Sequence, residues 1–96
     1  MKYPPATEKE ISTFLTNNPC WYLKQNKLYR QFVFPDFVSA FNFMSQVAQI
    51  AEQHNHHPEW CNVYNKVEVY LISHDAQSIT EKDFALAESM DDIYTA

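Results

Sequence analysis

Apolar residues recur at two different periods along this 96-residue chain, and the changes of period divide it into helical and extended segments. Ile11, Phe14 and Leu15 lie at helical spacing behind Thr7-Glu8-Lys9-Glu10, a capping box, and Asn17-Asn18-Pro19 ends that helix. Residues 21–25 and 28–34 are aromatic and β-branched runs flanking Asn26-Lys27, which predicts a hairpin. Pro35-Asp36 closes the second strand and opens a helix from about residue 37 to 53. After Pro58, residues 62–64 and 66–74 read as strands, the longer alternating Val67, Val69 and Leu71 with Glu68, Tyr70 and Ile72. Thr80-Glu81-Lys82-Asp83 is a second capping box, opening a last helix whose Leu86, Met90, Ile93 and Tyr94 face inward; Asp83 is expected there as the cap.

The order is helix, two strands, helix, two strands, helix. It predicts an α+β fold over residues 1–96 as one domain, a four-stranded antiparallel sheet with three helices packed on one face. The second helix carries two apolar stripes, Phe37, Phe41, Met44, Ala48 and Ala51 on one and Phe43, Val47 and Ile50 on the other. One sheet needs only one of them, so a homo-oligomer built through this helix and a sheet edge is expected.

Composition supports a packed core: 46% of residues are apolar and 16% aromatic. The net charge of −5 and the scattered basic residues argue against nucleic-acid binding, which rests on clustered Lys and Arg. The chain contains no glycine, which removes every phosphate-cradling loop. It also lacks a run of eighteen apolar residues and an apolar N-terminal segment, so a cytoplasmic protein away from membranes is expected. Cys20 and Cys61 lack metal-ligand or redox spacing and read as reduced thiols.

The candidate chemistry lies in Glu52-Gln53-His54-Asn55-His56-His57-Pro58, which holds three of the four histidines. Imidazole alone among side chains has an ordinary pKa near neutrality, so the cluster suits proton transfer or metal binding. No ligand pattern such as H-E-x-x-H supplements it, and no metal is expected. A helix C-terminus also favours histidine, with proline as a common stop, so from the pattern alone a plain helix end and a catalytic site stand level. His74 at a strand end, with Trp60 and Tyr64 after Pro58, favours a site where a planar ligand rests on rings.

Glu52, His56-His57-Pro58, Tyr64, His74 and Asp83, at intervals of three, five, nine and eight residues, resemble the signature of the pterin-4a-carbinolamine dehydratases. Phe41-Asn42-Phe43-Met44, Glu59-Trp60 and Asn62-Val63-Tyr64-Asn65-Lys66-Val67 are similar to that family too, so the resemblance covers about residues 21–94. It implies loss of water from 4a-hydroxytetrahydropterin to give quinonoid dihydropterin, recycling the cofactor of aromatic amino acid hydroxylases such as phenylalanine hydroxylase. The pterin is then the substrate, and no separate cofactor is implied. By the same resemblance His56, His57 and His74 are the catalytic set, acting as general acid and base and as hydrogen-bond partners of the hydroxyl; His57 is expected as the main acid/base, and which ring protonates and which only positions stays open. Glu52, one turn before His56, is the orienting carboxylate. Trp21, Pro58, Trp60, Tyr64 and Ser73 are the substrate-binding residues, Ser73 standing where the family often has threonine. His54 falls outside the set. The family suggests four subunits. It also contains binding partners of a homeodomain factor, so a dimerisation cofactor acting without DNA contacts is a second expectation, and a role on another pterin, in molybdenum cofactor metabolism, a third.

Overall fold

The structure is a computed structural model that describes residues 3–95. Its elements are α1 (Glu8–Asn17), β1 (Tyr22–Lys24), β2 (Lys27–Val33), α2 (Phe37–Gln53), β3 (Glu59–Val63), β4 (Lys66–Leu71) and α3 (Glu81–Thr95). The order is the predicted one. The strands form one antiparallel sheet, β1-β2-β4-β3, so the two hairpins meet along β2 and β4. Leu28, Phe32, Val67, Val69 and Leu71 point from one face of the sheet into a core shared with Phe43, Val47 and Ala51 of α2 and with Leu86, Ala87 and Met90 of α3. Phe14 joins α1 to the same layer, its ring stacked 4.7 Å from that of Phe84.

The helix starts follow their predicted chemistry. Thr7 and Glu10 close a reciprocal capping box, and Asp36 caps α2 by accepting from the Ser39 N–H at 2.8 Å, a bond that holds its carboxyl below the usual range. Along α2 the residues that reach the core are Ala40, Phe43, Val47 and Ala51, so Ala51 belongs to the inner stripe and not the outer. Phe37, Val38 and Phe41 stay exposed at 46%, 65% and 53%. Among the described residues no helix is long and apolar enough to cross a membrane.

The turns differ from expectation because the chain has no glycine for left-handed backbone. In the first hairpin Lys24 pairs with Lys27, which puts the turn at Gln25-Asn26, one residue earlier than expected, with φ of 56° and 61°. Such a pair of positive angles matches the twist of the flanking strands. β3 starts directly after Pro58, earlier than expected, and Tyr64 lies in the turn that follows it, at φ 52°. β4 stops at Leu71; Ser73 then bridges to Ser78, so His74 opens a turn and does not end a strand.

Trp21 belongs to the core. It is 1% exposed, and its indole N–H donates to both carboxylate oxygens of Asp91 at 3.0 Å, where Arg30 also donates at 2.7 Å. Burial pushes the Asp91 carboxyl above its ordinary pKa, although both donors pull the other way. On the opposite sheet face Tyr22, Tyr29 and Tyr70 lie in register across β1, β2 and β4. The Tyr29 hydroxyl donates to Glu68 at 2.6 Å, and that bond, with burial behind it, raises the phenol's pKa.

Candidate active site

The site begins where α2 ends. The His56 N–H donates to the Ala51 carbonyl and the Asn55 N–H to the Glu52 carbonyl, with Asn55 at φ 50°. That pair of bonds around a left-handed residue is a Schellman motif, and asparagine tolerates the conformation better than most residues. The helix is therefore stopped by Asn55, and Pro58 lies beyond it at the entry to β3. The reversal takes His56 and His57 off the helix and turns them back toward it.

Each of three imidazoles then meets a carboxylate through Nε2. His56, 9% exposed, lies 2.5 Å from Asp83 Oδ1. Asp83 is fully buried, and its second oxygen accepts from the Ser73 hydroxyl and the Thr80 N–H, each at 2.9 Å. His57 Nε2 lies 2.8 Å from Glu52 Oε1, both side chains exposed. His74 Nε2 lies 2.9 Å from Glu59 Oε2, while Glu59 Oε1 takes Lys27 Nζ at 2.7 Å. That lysine is the main reason the Glu59 carboxyl sits below the usual range; burial opposes it, and His74 adds a smaller pull.

These contacts close a ring. From His56 the chain runs through His57 and Pro58 to Glu59, which meets His74; the neighbouring Ser73 reaches Asp83, which returns to His56. Two segments far apart in sequence are thereby tied at one end of the sheet. An ionised carboxylate can only accept, so the nitrogen that faces it carries the proton and Nδ1 is left as the ring's other functional atom. The result is three imidazoles, each with a carboxylate at Nε2, and imidazole is the side chain most often used for general acid/base work. Among the described residues no group of three or more His, Cys, Asp or Glu side chains is arranged to hold a metal ion.

Several predicted site residues lie elsewhere or are used differently. Glu52 pairs with His57 and not with His56, because the reversal at Asn55 brings the fifth residue on, rather than the fourth, back over the helix. Asp83 does close the start of α3 through Thr80, yet the same carboxylate also holds His56. Ser73 is 1% exposed and spends its hydroxyl on Asp83, with Thr80 Oγ1 at 2.7 Å, so it supports the site from within and does not line it. Tyr64 sits at the far end of β3, about 17 Å of extended chain from Glu59. Trp21, in the core, offers no face to a ligand. Pro58, next to His57 in the chain, is half-buried, Trp60 is half-buried against the core, and His54 is exposed. Glu59 was not anticipated: its link to His74 spans the whole β3–β4 hairpin and leaves no local pattern.

Comparison with known proteins decides the family. Residues 4–93 match the family model described as pterin 4 alpha carbinolamine dehydratase. The chain belongs to that family. The match starts well before residue 21, so α1 is part of the family's fold. A relative from Solibacter usitatus, which carries the provisional name pterin-4-alpha-carbinolamine dehydratase, is 47% identical over 85 residues, 88% of this chain and 90% of its own length. One from Sulfurisphaera tokodaii with the same provisional name is 46% identical over 89 residues, 93% of this chain and 96% of the relative. A crystal structure from Brucella melitensis, described as a transcriptional coactivator/pterin dehydratase, superposes with a TM-score of 0.90 at 39% identity, covering 94% of this chain and 98% of that one.

Proposed function

We propose that this chain dehydrates 4a-hydroxytetrahydropterin by histidine acid/base catalysis. The observation that carries the reading is the set of three imidazoles, each with Nε2 on a carboxylate, tied into one ring of contacts within a pterin dehydratase family fold. The 4a-hydroxyl is a poor leaving group until it is protonated, and the proton on N5 must also depart. A protonated imidazole gives its proton to the hydroxyl, the C4a–O bond breaks and water leaves. A neutral imidazole takes the N5 proton, and the N5 electron pair becomes the C4a=N5 bond of the quinonoid dihydropterin. One proton is given and one taken, so the protein's total protonation is unchanged, the two imidazoles return to their starting states by exchange with water, and no redox partner is needed.

His57 is the main proton carrier in this scheme, since its ring is both exposed and oriented by Glu52. His74 is the exposed counterpart, and His56 is the buried member of the set, held by Asp83. Pro58, half-buried next to His57 in the chain, and the part of the Trp60 ring left outside the core supply apolar wall for a flat ring system. The product is the form that a reductase returns to the tetrahydro state, which fits recycling of a pterin used by an aromatic amino acid hydroxylase. The deciding assay mixes synthetic 4a-hydroxytetrahydropterin with the purified chain and follows formation of the quinonoid product. Acceleration over the uncatalysed loss of water is expected; a rate equal to buffer alone refutes the proposal.

A second reading rests on the surface of α2. Phe37, Val38 and Phe41 form an exposed apolar strip at its first turns, and the Brucella relative is described as a coactivator as well as a dehydratase. The strip suits self-association, and the same surface could instead receive a regulatory protein.

A further inference from the structure

The three imidazoles are not held alike. His56 is enclosed by Asp83, with Ser73 and Thr80 behind it. His57 leans on Glu52 at the helix surface. His74 stands on a turn with its side chain 73% exposed, so packing does little to choose its ring orientation. A free imidazole exchanges tautomers and rotates, which spoils a proton transfer that needs one nitrogen in one place. The contact that distinguishes His74 from an ordinary surface histidine is the one to Glu59, at 2.9 Å.

Glu59 is itself well fixed. It is the first residue of β3 and faces Tyr70 across the ladder. Its other oxygen takes Lys27, the first residue of β2, at 2.7 Å, and that lysine lies 6.0 Å from the Tyr70 ring centroid. One carboxylate thus joins three elements, and it follows His57 by two residues. An exposed ion pair alone contributes little to stability, on the order of 0–1 kcal/mol, so an arrangement in which one oxygen faces a lysine and the other an imidazole invites another explanation.

We propose that Glu59, braced by Lys27, is the positioning residue of His74: it keeps the proton on Nε2 and turns Nδ1 toward the reacting pterin. The inference rests on His74 belonging to the proton-transfer set proposed above. Because Lys27 keeps the Glu59 carboxyl below the usual range, the group stays ionised, and an acceptor only, across the pH range where imidazoles titrate.

The test combines a spectroscopic and a kinetic measurement on the full chain. Long-range proton–nitrogen spectra of 15N-labelled protein report the tautomer of the His74 ring, and turnover of synthetic 4a-hydroxytetrahydropterin reports its use. In the parent, His74 is expected as the Nε2–H tautomer. In Glu59→Ala the tautomers should mix and kcat should fall about tenfold, a modest part of what a positioned acid or base contributes, with KM changing much less. Glu59→Gln, which keeps an acceptor oxygen, should restore the tautomer and most of kcat. Adding Glu59→Ala to His74→Ala should cost nothing further. An unchanged His74 tautomer in Glu59→Ala, or losses that add to those of His74→Ala, would overturn the proposal. A parent chain without turnover overturns the reaction instead, and the tautomer comparison still decides whether Glu59 positions His74.

Discussion

Asp83 is the residue whose replacement tests the site and the fold together. It is fully buried and accepts from three donors: the His56 ring, the Ser73 hydroxyl and the Thr80 N–H. In Asp83→Ala the Ser73 hydroxyl can still turn to Thr80 Oγ1, 2.7 Å away, but the His56 and Thr80 N–H groups are left unpaired. A buried donor without a partner costs roughly 1–3 kcal/mol, so the alanine variant should lose about 4 kcal/mol. In a domain of this size each kcal/mol moves Tm by about 4–8 °C, which predicts a fall of roughly 15–30 °C. Asp83→Asn is gentler. Its carbonyl oxygen can keep Ser73 and Thr80, and its NH2 then faces His56, forcing that ring to present a lone pair at Nε2 and to carry its proton on Nδ1. The loss should be about 2 kcal/mol, the worth of a hydrogen bond to a charged group. Melts followed by circular dichroism at pH 7, with the His56 tautomer read from nitrogen shifts, check both parts. An asparagine variant that melts with the parent and keeps His56 as Nε2–H would refute the account.

Three further outcomes are expected. Phe41→Glu places a charge in the exposed apolar strip of α2, so sedimentation at micromolar concentration should show the parent as an oligomer and the variant shifted toward monomer; a parent that is already monomeric removes the reason for the strip. Lys27→Met removes the main cause of the low Glu59 pKa. The pair's stabilisation is present above the ordinary carboxylate range and is lost as pH falls through the lowered value. Urea melts should therefore show the parent ahead by less than about 1 kcal/mol at pH 7 and level with the variant in acid; equal gaps at both pH values would contradict this. Asp91→Ala strands the buried Trp21 N–H and should cost about 1–3 kcal/mol, with a change in tryptophan emission, while Asp91→Asn keeps an acceptor and costs less. Because burial raises the Asp91 pKa, its own contribution to stability declines as pH rises through the window above the ordinary carboxylate value, and the asparagine variant should lack that decline.

The elements were legible because local rules agree along this chain. Capping boxes, helical stripes and strand alternation place every helix and strand in order, and the αββαββα plan with its covered sheet follows from them. Turn positions were not legible in the same way. Left-handed backbone falls on Gln25, Asn26, Asn55, Tyr64 and Gln77, residues that do not announce it as glycine would. That is why the first hairpin shifted by one residue and why Pro58 looked like the helix stop in place of Asn55. Within the site, the histidines could be picked out by spacing, but their partners could not. Asp83 meets His56 across 27 residues and Glu59 meets His74 across a hairpin and a turn, pairings that only the folded chain creates. Trp21 and Tyr64 looked like ligand walls because aromatic residues serve both roles, and only burial and position along the sheet tell them apart.

The central claim is that carboxylate-held histidines perform the dehydration, and it is tested most directly by the rate of water loss from 4a-hydroxytetrahydropterin across His56→Ala, His57→Ala, His74→Ala and the triple variant. Folding of each is checked by circular dichroism. The account predicts that the parent accelerates the reaction, that His57→Ala loses about a hundredfold or more, the usual contribution of a positioned acid or base, and that the folded triple variant falls to the uncatalysed rate. A folded triple variant that still turned over pterin at the parent's rate would contradict it.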